Sequence, residues 1–172
     1  TDSLLSWCKA NRIYLILDLH AAPGGQGTDI PISDRDDTKP NLWQSAANRN
    51  KTIALWKELA KRYVNEEWIG GYDLINETNF GFTDPNDKNG CNEKLNVQLK
   101  ALLTDITTAI RSVDKKHMIF IEGNCWANNY NGIFPLWDKN MVVSFHKYWN
   151  YNDKAAIEGF LKIRDEQNVP LW

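Results

Sequence analysis

The sequence predicts an α/β fold in which parallel strands are joined by helical crossovers. Short apolar runs alternate with amphipathic helical stretches, and no hairpin signal lies between them. The runs also share polar endings: Asp18 and His20, Asn76 and Glu77, Glu122 and Asn124, His146 and Tyr148. In a closed parallel barrel the carboxyl ends of all strands meet around one mouth, so residues far apart in sequence would converge there. A doubly wound nucleotide-binding sheet is disfavoured, because Gly24, Gly25 and Gly27 run on into Pro and Asp instead of opening a helix.

The elements follow in order. Residues 2–10 place Leu4, Leu5 and Cys8 at helical spacing. Residues 13–20, IYLILDLH, are too apolar for a surface strand and predict a central strand covered on both faces. A loop rich in Gly, Pro and Asp follows over residues 21–41, longer than a compact domain spends on a plain connection. Asn48 or Asn50 is suited to cap the next helix, where Ile53, Leu55, Trp56, Leu59, Ala60 and Tyr63 recur at spacings of three and four. A strand over 69–76 ends at Glu77, and a second polar loop leads to an amphipathic helix over about 93–113. Two short strands, 118–121 and 141–145, a helix over about 153–166 and the start of a strand at 169–172 complete the pattern.

Composition limits the function classes. The chain has 172 residues, 42% hydrophobic, enough to bury a sizeable core in one domain. With 20 basic and 22 acidic residues, scattered, it lacks the basic patch that nucleic acid requires. No apolar run is long enough to span a bilayer, and the opening TDSLLSWCKANR has no leader-like pattern, so neither nucleic acid nor membrane is an expected partner. Cys8, Cys91 and Cys125 show no metal-ligand spacing and allow at most one disulfide. Eight Trp and six Tyr supply flat faces for stacking on sugars or bases, although most such rings fill cores.

The strand ends carry the chemistry. Glutamate is seldom buried without a partner, so Glu77 at the close of an apolar strand reads either as a placed functional acid or as the first polar residue of a loop. His20 and His146 read as site residues or as core histidines satisfied by backbone, Tyr148 as an orienting hydroxyl or a packed ring. Asp18 reads as a buried structural acid.

LDLHAAPGGQ, LINETN, FIEGNCW and SFHKYW, in this order and with helices between them, closely resemble glycoside hydrolase family 5, the cellulase family of (β/α)8 barrels. The resemblance covers the chain from Ile13 to its end, and four signatures in order are far more specific than any one. It implies a (β/α)8 TIM barrel with Glu77 as general acid/base; NET here stands where NEP is commoner. It makes His20, Asn76, His146 and Tyr148 members of the site around the scissile sugar and Trp126 a sugar-stacking or subsite-wall residue, with Glu122 kept as a supporting residue.

A retaining glycosidase needs one carboxyl group that gives and takes a proton and another about 5–5.5 Å away that attacks the anomeric carbon. Asn76 is suited to hydrogen-bond the sugar 2-hydroxyl, where such bonds strengthen in the transition state. The family's nucleophile is a glutamate just after an apolar stretch like VPLW, which here closes the sequence at Trp172. The resemblance thus implies that residues 1–172 are a partial catalytic barrel, about strands three to six and the start of seven, cut at both ends, with open sheet edges and low stability in isolation. It further implies hydrolysis of β-1,4-glucan or a related β-glycan with retention, no cofactor or metal, a monomer at full length, and a secreted, periplasmic or cell-surface location. Two other readings are a carbohydrate-binding barrel without turnover and a metal-dependent barrel hydrolase or isomerase using His20, Glu77, Glu122 and His146 as ligands.

Overall fold

The computed structural model describes residues 1–148 and 150–172; Trp149, which closes the SFHKYW motif, lies outside the described residues. In chain order the elements are α1 (Asp2–Ala10), β1 (Leu15–Asp18), α2 (Ile30–Ser33), α3 (Ala46–Tyr63), β2 (Ile69–Asp73), α4 (Val97–Arg111), β3 (Met118–Glu122), α5 (Asn124–Ala127), β4 (Met141–Ser144) and α6 (Glu158–Gln167). A 3-10 turn over Lys154–Ile157, capped by the Asp153 side chain, leads into α6.

The four strands pair in parallel in the order β1-β2-β3-β4. Asp18 sits beside Asp73, Asp73 beside Phe120, and Glu122 beside Ser144. Beyond α6 the chain returns to the sheet: Leu171 pairs in parallel with Val143, and Trp172 N–H donates to the Val143 carbonyl at 2.9 Å.

Alternation along the strands gives the sheet two different faces. Tyr72, Leu74, Ile119, Ile121, Met141 and Val143 join Trp56, Leu99, Leu102, Ile106 and Ile110 in one buried core under α3 and α4. The Trp56 indole donates to the Leu74 carbonyl at 2.8 Å, so this tryptophan is a structural one. The other face carries Asp73, Phe120, Glu122, Val142 and Ser144, all buried, and Phe120 and Val142 stand outside the helix-side core. Toward the amino ends of the strands this face opens on a cavity of about 1010 Å³ lined by Tyr14, Ile16, Phe120, Val142, Leu171 and Trp172. The third histidine, His117, is a core residue: its Nδ1 lies 2.5 Å from Asp114 Oδ2 and its Nε2 3.0 Å from the Glu66 carbonyl.

Several boundaries differ from the sequence expectation. The cap of α3 is Ser45, whose hydroxyl accepts from the Asn48 amide at 3.2 Å; Asn48 itself reaches back to the Pro40 carbonyl at 3.0 Å. Helix α4 begins at Val97, not near Glu93, because Asn96 is left-handed and the Glu93 carboxylate is spent on the Phe82 and Thr83 amides at 2.6 Å each. Strand β1 is only half-buried, since it stands at the end of the row and no strand covers its outer edge among the described residues.

Candidate active site

The carboxyl ends of β1 to β4 do converge. At β2 the sheet pairing stops at Asp73, and the backbone turns through Leu74, Ile75 and Asn76 to Glu77. Asn76 N–H still bonds the Leu19 carbonyl at 3.2 Å. Glu77 is 8% exposed and adopts φ +42°. A left-handed conformation in a residue other than glycine costs roughly 1–2 kcal/mol and persists only where neighbours over-determine it.

Those neighbours come from two other strand ends. Glu77 N–H donates to Glu122 Oε2 at 2.7 Å. Glu77 Oε1 lies 2.6 Å from His146 Nδ1, and His146 Nε2 lies 3.4 Å from Glu122 Oε1. Glu77, Glu122 and His146 therefore form a closed ring of contacts, with the Glu122 side chain 1% exposed.

Electrostatics on this face are dominated by burial. Burial first, and the nearby Asp73 second, push the Glu122 carboxyl up to about 9. Burial and then the Asp18 charge push Asp73 up to about 7. Both therefore hold their protons well above the ordinary carboxylate range. Asp73 Oδ1, Asn76 Nδ2 and Ser144 Oγ are buried without a protein partner.

The other predicted residues take different positions. His20 is exposed and pairs with Asp18 at 3.3 Å, so Asp18, at 37% side-chain exposure, is a partner at the rim and not the buried acid expected. Trp126 and Tyr148 flank Glu77 and His146 in a cleft of about 420 Å³ that Asp29 and Ile32 close from the loop after β1. Tyr148 is 75% exposed and meets the His146 ring edge-on at 6.1 Å. Asn76, Glu122 and His20 do not line this cleft. Among the described residues no group of three His, Cys, Asp or Glu is arranged to hold an ion.

Trp126 is held by an unusual turn. Cys125, Trp126 and Ala127 all have positive φ, at 54°, 52° and 63°. Cys125 is tied to Cys91 by a disulfide, Trp126 N–H donates to the Thr78 carbonyl at 3.0 Å, and fully buried Asn124 bonds Phe80 and Asn96. The three cysteines thus yield one disulfide with Cys8 free, and it braces the loops beside the site.

Gln26 is a residue that strand-end reasoning passes over. It is fully buried; its Oε1 accepts from Ala22 N–H at 3.0 Å, and its Nε2 donates to the His20 carbonyl at 2.9 Å and the Asn76 carbonyl at 2.8 Å. It couples the ends of β1 and β2. The only trace in the sequence is a lone amide among the glycines of APGGQG.

The family described as Cellulase (glycosyl hydrolase family 5) matches residues 1–169. The chain belongs to glycoside hydrolase family 5. It is 32% identical over 163 residues to a β-xylosidase of Phanerodontia chrysosporium, covering 93% of this chain and 31% of that protein. It is 28% identical over 153 residues to endoglucanase C of Acetivibrio thermocellus, covering 86% of this chain and 38% of that one. The chain thus spans about a third of the length of these relatives. A solved crystal structure of a glycoside hydrolase superposes with a TM-score of 0.73 at 22% identity, covering 99% of this chain and 57% of that chain. That likeness establishes the fold: the four parallel strands are an incomplete (β/α)8 barrel. The ring of Glu77, Glu122 and His146 lies at the carboxyl ends of the strands of that barrel.

Proposed function

We propose that this chain forms part of the catalytic barrel of a retaining glycoside hydrolase that cleaves β-1,4-linked glucan or a related β-glycan, with Glu77 as general acid/base. One observation carries the reading: the buried Glu77 carboxyl, at the carboxyl end of β2, faces the cleft while bonded to His146. In the first step the nucleophile carboxylate bonds to the anomeric carbon as the glycosidic C–O bond breaks, and Glu77 supplies the proton to the leaving oxygen; in the second, water bonds to the anomeric carbon as the glycosyl–carboxylate bond breaks, and Glu77 takes the water's proton. His146 orients the carboxyl. The unpartnered Asn76 Nδ2 supports a role as donor to the sugar 2-hydroxyl, and Trp126 supports a sugar along the cleft wall. His20 and Tyr148 bind at the rim.

The nucleophile in this reading belongs to a segment outside residues 1–172, and the barrel is completed by further strands there. Endo action on a polymer follows the name of the endoglucanase relative, whereas the β-xylosidase relative points to a shorter, xylose-based substrate. We favour a polymeric β-glycan, on the side of the endoglucanase relative. The Cys91–Cys125 disulfide supports an oxidising location, secreted or periplasmic, and the working form is a monomer.

The complete protein is to be assayed against β-1,4-glucan, mannan and xylo-oligosaccharides, with proton NMR following the anomer released. Retained configuration on a β-1,4-glycan is expected. An inverted product, or binding without release of reducing ends, contradicts the reading.

A further inference from the structure

We infer that Glu122 is a positioning residue for the proton donor, one carboxyl group that fixes both the backbone of Glu77 and the ring of His146. The inference rests on the reading of Glu77 as general acid/base. Glu122 shares no surface with the cleft, so it acts through its two neighbours.

Its two oxygens do different work. Oε2 accepts the Glu77 N–H at 2.7 Å, which anchors the main chain at the one site residue held at φ +42°. Oε1 stands 3.4 Å from His146 Nε2, on the side of the ring opposite the 2.6 Å contact between Nδ1 and Glu77. Proton accounting around the ring assigns each position. With the Nδ1 proton given to the Glu77 contact, Nε2 faces Glu122 Oε1, where burial favours the protonated carboxyl. The surroundings agree: burial, Asp73 on the neighbouring β2, Asp18 on β1 and the Glu77 carboxyl all weigh against a second negative charge here. The group opposite on β4, Ser144 Oγ, is unpartnered and so does not compete for His146.

This arrangement sets direction as well as distance. A general acid that drifts by about 1 Å loses on the order of 100-fold in rate, and Glu122 limits that drift from two sides. The loss falls on proton transfer alone, which separates positioning from general destabilisation.

The test uses the complete protein, its Glu122→Ala, Glu122→Gln and Glu77→Gln variants, and two aryl β-cellobiosides. The phenyl compound needs the acid to expel its oxygen; the 2,4-dinitrophenyl compound does not. Glu122→Ala is expected to lower kcat/KM on the phenyl substrate roughly 100-fold, while kcat/KM on the dinitrophenyl substrate, which reports only the first step, stays close to wild type. Glu122→Gln is expected to restore the phenyl rate nearly fully, since an amide keeps an acceptor for Glu77 N–H and a donor for Nε2. An equal fall in kcat/KM on both substrates, or no fall on either, overturns the inference. Should Glu122→Ala fail to fold, nitrogen-15 shifts of the wild-type His146 ring at neutral pH decide: Nδ1 protonated and Nε2 bare supports it, and a proton on Nε2 overturns it. Glu77→Gln separates the two claims. Full activity of that variant removes the acid/base reading, whereas its loss alongside an unselective Glu122→Ala removes only the role of Glu122.

Discussion

Gln26 is where a single side chain holds two strand ends together, and its removal should be costly. Gln26→Ala leaves the Ala22 N–H and the carbonyls of His20 and Asn76 without a partner at a fully buried position. Each such hydrogen bond contributes about 1 kcal/mol net, and a buried group left unpaired costs about 1–3 kcal/mol. The truncated side chain also leaves a void, although water entering it would satisfy part of the deficit. Three bonds then give an expected destabilisation of about 3–4 kcal/mol. The effect on activity follows from geometry, because the Asn76 carbonyl sits one residue before Glu77. A loosened Asn76 moves the acid, so kcat is expected to fall at least roughly tenfold in the fraction that remains folded. Urea unfolding of the complete protein, with steady-state kinetics at a temperature where the variant is folded, reads both. A loss under about 1 kcal/mol with unchanged kcat refutes the idea that Gln26 couples the ends of β1 and β2.

Other consequences are as direct. Reducing the Cys91–Cys125 disulfide, or replacing both cysteines by serine, opens a loop of separation 34 and should lower stability by about 3–4 kcal/mol on the chain-entropy account, seen as an earlier urea midpoint. Trp126→Ala should weaken binding of cello-oligosaccharides by about 1–2 kcal/mol, read as a rise in KM with little change in kcat on a short aryl glycoside. Asp73 and Glu122 are held protonated in the fold, at about 7 and about 9, but ionise near their ordinary values when unfolded. The folded state then binds more protons between those limits, so stability should fall as pH rises from about 5 to about 9, by on the order of 1 kcal/mol per pH unit. Glu122→Gln should flatten the upper part of that slope; stability that rises with pH over this window contradicts the assignment.

Much of the frame was legible because it depends on periodicity. The apolar runs before Asp18, Glu77, Glu122 and His146 mark four strands, and the three- and four-residue spacing around Trp56 and Leu102 marks two helices. Boundaries were less legible where a side chain has a tertiary task. Glu93 looks like a helix residue yet accepts from the Phe82 and Thr83 amides, and Ser45 takes the capping place that the side chains of Asn48 and Asn50 are equally suited to fill. The site was legible as a set of strand ends, but not in its connections. That Glu122 reaches both Glu77 and His146 depends on the register of β3 between β2 and β4, which no local pattern encodes. Gln26 and the Cys91–Cys125 pair lie in loops whose path is set by long-range contacts. Asp18, read as a buried acid, is partly exposed and pairs with His20.

The most direct test of the account is the rate of the Glu77→Gln variant of the complete protein on a β-1,4-gluco-oligosaccharide with an unactivated leaving group. Glutamine keeps the size of the side chain and an acceptor for His146 Nδ1–H, but has no proton to give to the leaving oxygen. General acid–base catalysis contributes roughly 100- to 10,000-fold. A fall of kcat/KM within that range, with unfolding midpoint and substrate KM close to wild type, is predicted; a folded variant that hydrolyses at the wild-type rate contradicts the assignment of Glu77.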